Sequence, residues 1–191
     1  MIFETIIISV DLAGNPHVTP FGVRHENDCI VISPYKPSKT LENILATKNA
    51  VMNLTDDVRV FAGALTNRQA WQLTQANKVN GFRLAGCLAH AELELLEVRE
   101  DEMRPQLIMK KITEENHQHF LGFNRAQAAV IELAVLASRL RMLPREKIQT
   151  ELEYLQIAID KTAGERENQA WGWLIEKIDN FYAEQLGENQ A

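Results

Sequence analysis

Two hydroxyl groups and two ammonium groups cluster in this sequence where a predicted strand ends and a predicted helix begins. The apolar run 29–33 is typical of a buried strand, and Pro37 follows it as a stop signal. Ser38 is a good N-cap residue, and Leu41 and Ile44 repeat at helical spacing behind it. The pattern therefore predicts a helix over 38–48, capped by Ser38.

The first turn of that helix has the chemistry that a phosphate requires. Unpaired backbone N–H groups and a partial positive charge at a helix start favour an anion. Ser38 and Thr40 add hydroxyl donors, and Lys36 and Lys39 add positive charge. The alternative is an ordinary capped helix with solvated lysines, because serine is common at helix starts and most such turns hold no ligand.

Composition restricts the class of protein. The chain has 191 residues with 46% hydrophobic and 24% charged content, which is ordinary for a globular protein of one or two domains. A net charge of −6 argues against a general nucleic-acid binder or an anionic-membrane binder, which need a basic face. Cys29 and Cys87 each lie among apolar residues, so we expect reduced core thiols rather than a disulfide.

The N-terminal sequence bears on location. Met1 is followed by Ile-Phe-Glu, without the basic start or the small-residue cleavage site of a signal peptide. No apolar run approaches the length that spans a bilayer. We therefore expect a cytoplasmic protein.

The first part of the chain is rich in β-strand patterns. Strands are predicted at 2–10, 17–23, 29–33, 50–54, 58–65 and 106–112, and the first two form a hairpin across the turn 11–16. Residues 66–81 are mostly polar and indicate a loop or a short helix. The alternation over 83–98 changes phase, which predicts one long strand with a bulge near 89–91.

The composition changes after about residue 113, where helical periodicity begins. Helices are predicted over 124–143, 146–162 and 167–186, with Pro144 and Gly164 at the breaks. The expected architecture is an α+β chain in which a small antiparallel β-barrel or curved sheet (1–113) is followed by a three-helix unit (114–191).

Several of these segments together resemble the FMN-binding split-barrel superfamily. They are 16–23 (PHVTPFGV), 34–44 (PYKPSKTLENI) and 51–58 (VMNLTDDV), and within the superfamily the chain is most similar to an uncharacterised family of archaea and methylotrophic bacteria. The helical region supports this through 122–126 (GFNRA), 129–132 (AVIE) and 161–164 (KTAG).

The resemblance implies a split β-barrel like that of flavin reductases and pyridoxamine-phosphate oxidases. It also implies a homodimer with one FMN in each of two clefts at the subunit interface. The phosphate then maps onto Ser38, Lys39 and Thr40 with Lys36 nearby. The flavin ring maps along the second strand, and Asn53 is placed to bond the ring or the ribityl chain. The ring positions are Thr19, Pro20, Phe21 and Gly22.

Each of these positions also has a structural interpretation. Gly22 lets a planar ring approach the backbone because it has no Cβ, whereas Phe21 is at least as well explained as a core residue at a strand end. Asn53 is equally typical of the residue before a turn, and Asp56 and Asp57 are best explained as solvated turn carboxylates.

Three other features of the sequence are candidate sites. His117 and His119 lack companions at ligand spacing, so we expect no metal site. Arg125 and Arg139, seven residues either side of Glu132, form one stripe on the first long helix, which is either a solvated ion-pair face or a binding surface for an acidic substrate.

Trp71, in the polar segment before Gly81, is a candidate lid over flavin or substrate. Its position between predicted strands also fits an ordinary surface loop.

Two functions of different classes follow. The first is an FMN-dependent oxidoreductase acting on a small organic substrate, in which the cofactor supplies the redox chemistry and no residue is an evident acid or base. The second is a non-catalytic FMN-binding or interaction module. Because the resembling family occurs in archaea and methylotrophic bacteria, analogy alone suggests a role in tetrahydromethanopterin-type one-carbon metabolism or with a deazaflavin coenzyme.

Overall fold

The computed structural model describes residues 1–68 and 70–188. Within these ranges the elements are, in order, β1 (Ile2–Val10), β2 (Pro16–Glu26), β3 (Cys29–Ile32), α1 (Lys39–Thr47), β4 (Asn49–Leu54), α2 (Arg59–Leu65), β5 (Leu73–Gln75), β6 (Phe82–Leu84), β7 (Ala89–Arg99), β8 (Gln106–Asn116), α3 (Arg125–Ala137), α4 (Arg145–Thr162) and α5 (Glu165–Glu188).

Six strands close into an antiparallel barrel in the order β1-β2-β3-β8-β7-β4. The predicted α+β fold, an antiparallel barrel followed by helices, is confirmed. The turn of the first hairpin is held by hydrogen bonds: Asp11 Oδ1 accepts the N–H groups of Ala13 and Asn15 at 2.9 Å each, and Gly14 takes a positive φ of 85°.

Helix α1 is packed against the barrel interior. Ser38 is its N-cap, as predicted, and its Oγ accepts the N–H of Leu41 at 3.4 Å. Leu41 and Ile44 join the buried interior cluster, and Asn43 Nδ2 donates to Ser9 Oγ at 3.0 Å. The apolar spacing seen in the sequence therefore fixes this helix to the barrel. Other members of the cluster are Ile7, Val23, Ile30, Ile32, Met52, Leu93, Leu107 and Met109.

The prediction of a strand over 58–65 is wrong, because this segment forms helix α2. Val58 and Ala62 are buried in the helical core, and Leu65 packs beside them. These residues are four and three positions apart, which is the spacing of one helical face, although Val58 and Ala62 also fit the alternation of a strand. Asp57 Oδ1 accepts the backbone N–H of Arg59 at 3.1 Å and so caps the first turn.

The single long strand predicted over 83–98 is also wrong. The chain forms β6, turns where the Cys87 N–H donates to the Leu84 carbonyl at 3.3 Å, and then begins β7. Register shifts occur at Glu92/Leu93 and Leu95/Glu97 rather than near 89–91. The segment 66–81 contains β5, which pairs with β6 in a separate two-stranded sheet.

Contacts between Cα atoms divide the described chain into two compact units. The first comprises Met1–Asp56 and Ala70–Phe120, and the second comprises residues 57–68 and 121–188. The sequence-based boundary at 113 lies inside β8, and α2 belongs to the second unit.

The second unit is a helical core with capped ends. Asn124 caps α3, its Oδ1 accepting the Ala126 N–H at 2.8 Å. Leu133, Ile148 and Leu174 from three helices are buried together. The prediction that this helix continues to 143 is wrong, because α3 ends at Ala137. The Arg139 N–H donates to Leu136 O at 2.9 Å in a tighter turn, which begins the link to α4.

Both cysteines are free thiols. In the described ranges, each helix is too short or too polar to pass through a lipid bilayer.

Candidate functional site: the start of helix α1 and strand β2

The start of α1 contains a buried polar atom that calls for a partner. The Thr40 side chain is 1% exposed, and its Oγ1 makes no hydrogen bond within the described residues. A buried hydroxyl without a partner is costly, and native proteins rarely leave one. The first turn of α1 therefore has the donor set for an anion, and Thr40 adds a hydroxyl to it.

Lys39 lies close enough to the β1–β2 hairpin to affect its charges. Burial of the ring, and then the positive charge of Lys39, lower the pKa of His17 below its ordinary value. The side-chain hydrogen bond from Asn15 is the main reason that the pKa of Asp11 is lowered, and Lys39 adds to it. Lys39 and the beginning of β2 thus share one electrostatic environment.

Thr19, a predicted flavin contact, lies on β2 beside His17. Thr19 Oγ1 and His17 Nε2 are 2.7 Å apart, and both side chains are half-buried. Because His17 is neutral at pH 7, its ring can accept the Thr19 proton or donate to its oxygen. Residue spacing alone gives His17, which lies in the segment 16–23, no role.

The rest of the predicted ring strand is explained partly by packing. Phe21 packs against the barrel interior, and its carbonyl accepts Thr5 Oγ1 at 3.0 Å. Pro20 pairs with Ile6 of β1. A Cβ on Gly22 would lie 2.8 Å from Ile2 Cγ2 and 3.3 Å from Glu4 Oε1, so any larger residue there would force these side chains of β1 to shift. Flavin contact by these residues stays a prediction.

Lys36 points its ammonium group at the β7–β8 turn. Its Nζ lies 3.4 Å from Glu100 Oε2 and donates to the Asp101 carbonyl at 2.9 Å. Arg104 ties the same loop down by donating from Nε to Ser33 O at 2.9 Å, and its guanidinium lies 4.8 Å from the centre of the Tyr35 ring. A phosphate contact by Lys36 requires its partly exposed side chain to leave these acceptors.

Asn53 is buried inside the first unit with both ends of its amide engaged. Nδ2 donates to Ile6 O at 3.4 Å and to Val51 O at 3.2 Å, and Oδ1 accepts the Leu84 N–H at 2.8 Å. These bonds join β4 to β1 and to β6. They favour a structural role, and the predicted contact with flavin stays a prediction.

A buried carboxylate holds the β5–β6 hairpin. Glu92 is fully buried and accepts the backbone N–H groups of Asn77, Lys78 and Val79 at 2.7, 2.6 and 2.8 Å. Burial raises the pKa of Glu92, but these three donors and the His90 side chain together outweigh it, so the pKa lies below its ordinary value. Glu92 is thus an ionised anchor that sequence reasoning missed.

Trp71 precedes this hairpin and is half-buried. Its indole Nε1 is buried without a hydrogen-bond partner in the described part of the chain. A ligand or water could satisfy that donor, and the lid prediction remains open to experiment.

The histidine neighbourhood differs from what spacing alone indicated. Pairing of β7 with β8 brings His90 and Glu115 beside His117, whereas His119 is not part of the cluster. In an antiparallel pair, the start of one strand lies beside the end of the next. A histidine near the start of one predicted strand and a Glu-x-His near the end of the following strand are therefore the sequence signal that predicts this cluster.

The predicted arginine stripe does not form a single helical face. Arg125 and Glu132 lie on α3 and line a cavity of about 370 Å³ with Tyr154 and Ile157 of α4. Arg139 lies beyond the end of α3, in the link to α4. Substrate binding by Arg125 or Arg139 stays a prediction.

Comparison with known proteins places these observations in a family. The family model for the N-terminal domain of a protein of unknown function, DUF447, matches residues 3–118, and that for DUF447 itself matches residues 124–176. No curated protein sequence matches the chain.

Solved structures share the fold. An FMN-bound DUF447 protein from Methanosarcina mazei is 19% identical with a TM-score of 0.79, over 92% of this chain and 94% of that one. The 2-nitrobenzoate 2-nitroreductase of Pseudomonas fluorescens is 16% identical with a TM-score of 0.53, over 60% and 64% of the two chains. An NADH:FAD oxidoreductase of Streptomyces globisporus is 12% identical with a TM-score of 0.51, over 60% and 70%.

Proposed function

This chain belongs to the DUF447 family, and we propose that it is an FMN-binding flavoprotein that works as an oxidoreductase on a small organic substrate. The observation that carries the proposal is the buried hydroxyl of Thr40 in the first turn of α1, which has no hydrogen-bond partner among the residues that the structure describes. The FMN-bound family member with the same fold over nearly the whole chain supports the choice of cofactor.

The residues at the start of α1 fit the phosphate of FMN. Thr40 would donate its hydroxyl, Lys39 would supply positive charge, and the helix start would supply backbone N–H groups. Ser38 Oγ already accepts the Leu41 N–H, but a hydroxyl accepts and donates at once, so it can also bond a phosphate oxygen.

The flavin ring would lie along β2, with Thr19 and the neutral His17 on the side near Lys39. Bound FMN would supply the redox chemistry, and the protein would bind and orient it. We include a homodimer in the proposal because the resemblance to split-barrel flavoproteins implies clefts shared by two subunits, and analytical ultracentrifugation of the full chain tests this directly.

An FMN titration of the purified chain, followed by tryptophan or flavin fluorescence, tests the cofactor site. Removal of a charge-assisted contact costs about 1.5–3 kcal/mol, so Lys39→Ala should weaken FMN binding about 10- to 100-fold. Lys110→Ala, on the exposed face of β8, is the matched control and should leave the affinity unchanged. Equal affinities for the two variants would place the phosphate elsewhere.

Anaerobic addition of NADH or NADPH separates the oxidoreductase from the non-catalytic module. Bleaching of the bound flavin at a rate that supports turnover is the expected result. Flavin that stays oxidised with both nicotinamides and with a reduced deazaflavin would favour the module, while leaving the cofactor site intact.

A further inference from the structure

A second polar cluster lies at the end of the β7–β8 pair. His90 is 1% exposed, and its β7 position pairs directly with Glu115 in β8. His117 follows the end of β8, and its backbone N–H donates to Leu88 O at 2.7 Å. One donor atom from each of His90, Glu115 and His117 lies within 4.8 Å of the other two.

The two imidazoles face each other edge to edge. His90 Nδ1 and His117 Nε2 are 2.8 Å apart, and the ring planes differ by 14°. Two ring nitrogens at this distance leave room for at most one proton between them, so at least one nitrogen presents its lone pair to that space. Nitrogen lone pairs converging with a carboxylate oxygen form the ligand set of a transition-metal ion.

Outer-shell contacts orient the cluster as they do around metals. His90 Nε2 lies 3.4 Å from Glu92 Oε1, which favours the proton on Nε2 and leaves Nδ1 as the lone-pair nitrogen. Glu92 is itself fixed by the backbone N–H groups of the β5–β6 loop. Asn77 Nδ2 donates to Glu115 Oε1 at 3.4 Å and orients the third donor.

The charges around the cluster suit a dication. Glu92 and Glu115 bring two carboxylates, and a nearby guanidinium, that of Arg83, donates to the carbonyls of Leu84 and Ala85 at 3.1 and 3.3 Å. Of these three side chains, the two carboxylates outnumber the guanidinium, so the balance is negative.

We propose that His90, Glu115 and His117 bind a divalent transition-metal ion, with at least one coordination position left for water or another ligand. Bonds of 2.0–2.1 Å in tetrahedral geometry separate two ligand nitrogens by about 3.3 Å, so the imidazoles need to move apart by about half an ångström. His117 is exposed and lies past the strand end, so its side chain can make that movement. The imidazole nitrogens disfavour Ca²⁺ and Mg²⁺, which prefer oxygen ligands.

Zinc binding to the chelator-stripped full chain tests the proposal without reference to flavin or activity. Competition with a chromophoric chelator should give one Zn²⁺ per chain, and Co²⁺ in its place should give visible bands of a low-coordinate site. His117→Ala removes one ligand and should weaken binding at least about 100-fold, because even outer-shell losses cost 10- to 100-fold.

His119→Ala is the matched control, since His119 is exposed, lies two residues away and is outside the cluster. It should bind Zn²⁺ as tightly as the unmodified chain. Both variants alter exposed side chains, so both should fold, as circular dichroism would verify. Less than one tight Zn²⁺ per chain, or equal affinities for the two variants, would overturn the proposal.

Discussion

Replacing Thr40 by valine should change stability and cofactor affinity in opposite directions. Valine has nearly the shape of threonine but lacks the hydroxyl, which is buried without a partner in the described structure. Burial of an unsatisfied hydroxyl costs about 1–3 kcal/mol, so the flavin-free variant should be more stable by up to that amount. For a chain of this length each kcal/mol corresponds to about 2–4 °C in Tm.

The same variant should bind FMN less tightly. A hydrogen bond to a charged phosphate contributes about 1.5–3 kcal/mol, so Thr40→Val should raise the Kd about 10- to 100-fold. Thr40→Ser keeps the hydroxyl and should retain the affinity within a few-fold. Urea unfolding of the flavin-free proteins and a fluorescence titration with FMN measure the two effects separately.

Two results would refute this reasoning. If flavin-free Thr40→Val is less stable than the parent by more than about 1 kcal/mol, the hydroxyl has a partner in the folded chain. If Thr40→Val binds FMN as tightly as Thr40→Ser does, the phosphate does not lie at the start of α1.

Three further predictions concern other residues of the chain. Glu92→Gln weakens three charge-assisted bonds and should cost about 2 kcal/mol in urea unfolding, with faster hydrogen exchange at residues 77–79. The folded-state pKa of His17 is lowered below 6.5, so the unfolded chain binds more protons and the free energy of unfolding should fall as the pH drops below about 6.5. His17→Gln should reduce this pH dependence, which urea midpoints measured from about pH 5 to 8 would show. Asp57→Ala removes both the cap on the Arg59 N–H and the ion pair with the Arg59 guanidinium, and it should cost about 1 kcal/mol by the same assay; an unchanged midpoint would show that α2 needs neither contact.

The parts of the fold that were predicted correctly depend on short stretches of sequence. The hairpin β1–β2 is set by alternating apolar residues and by the Asp11 turn, and the start of α1 is set by the Ser38 cap. These signals lie within a few residues of the structure they produce, so no knowledge of distant contacts is needed.

The errors arose where one pattern suits two structures. In 58–65, Val58, Val60 and Ala62 alternate like a strand, but Val58, Ala62 and Leu65 also share a helical face, and packing within the helical core selects the helix. Similarly, the phase change in 83–98 comes from a turn at Cys87 and not from a bulge.

The two candidate sites also differ in whether local sequence or contacts between distant residues determine them. The hydroxyls and charge at Ser38, Lys39 and Thr40 are adjacent in sequence and were predicted together. Only the structure shows that the Thr40 hydroxyl is buried and lacks a partner within 1–68 and 70–188. The cluster of His90, Glu115 and His117 depends on the register of β7 with β8, which residue spacing does not give.

The flavin content of the purified chain tests the central claim most directly. The full-length protein is incubated with excess FMN and passed through gel filtration, and the visible spectrum of the protein peak is compared with its protein concentration. The account predicts oxidised flavin bands at one FMN per chain. A colourless protein peak, from a sample that circular dichroism shows to be folded, would contradict it.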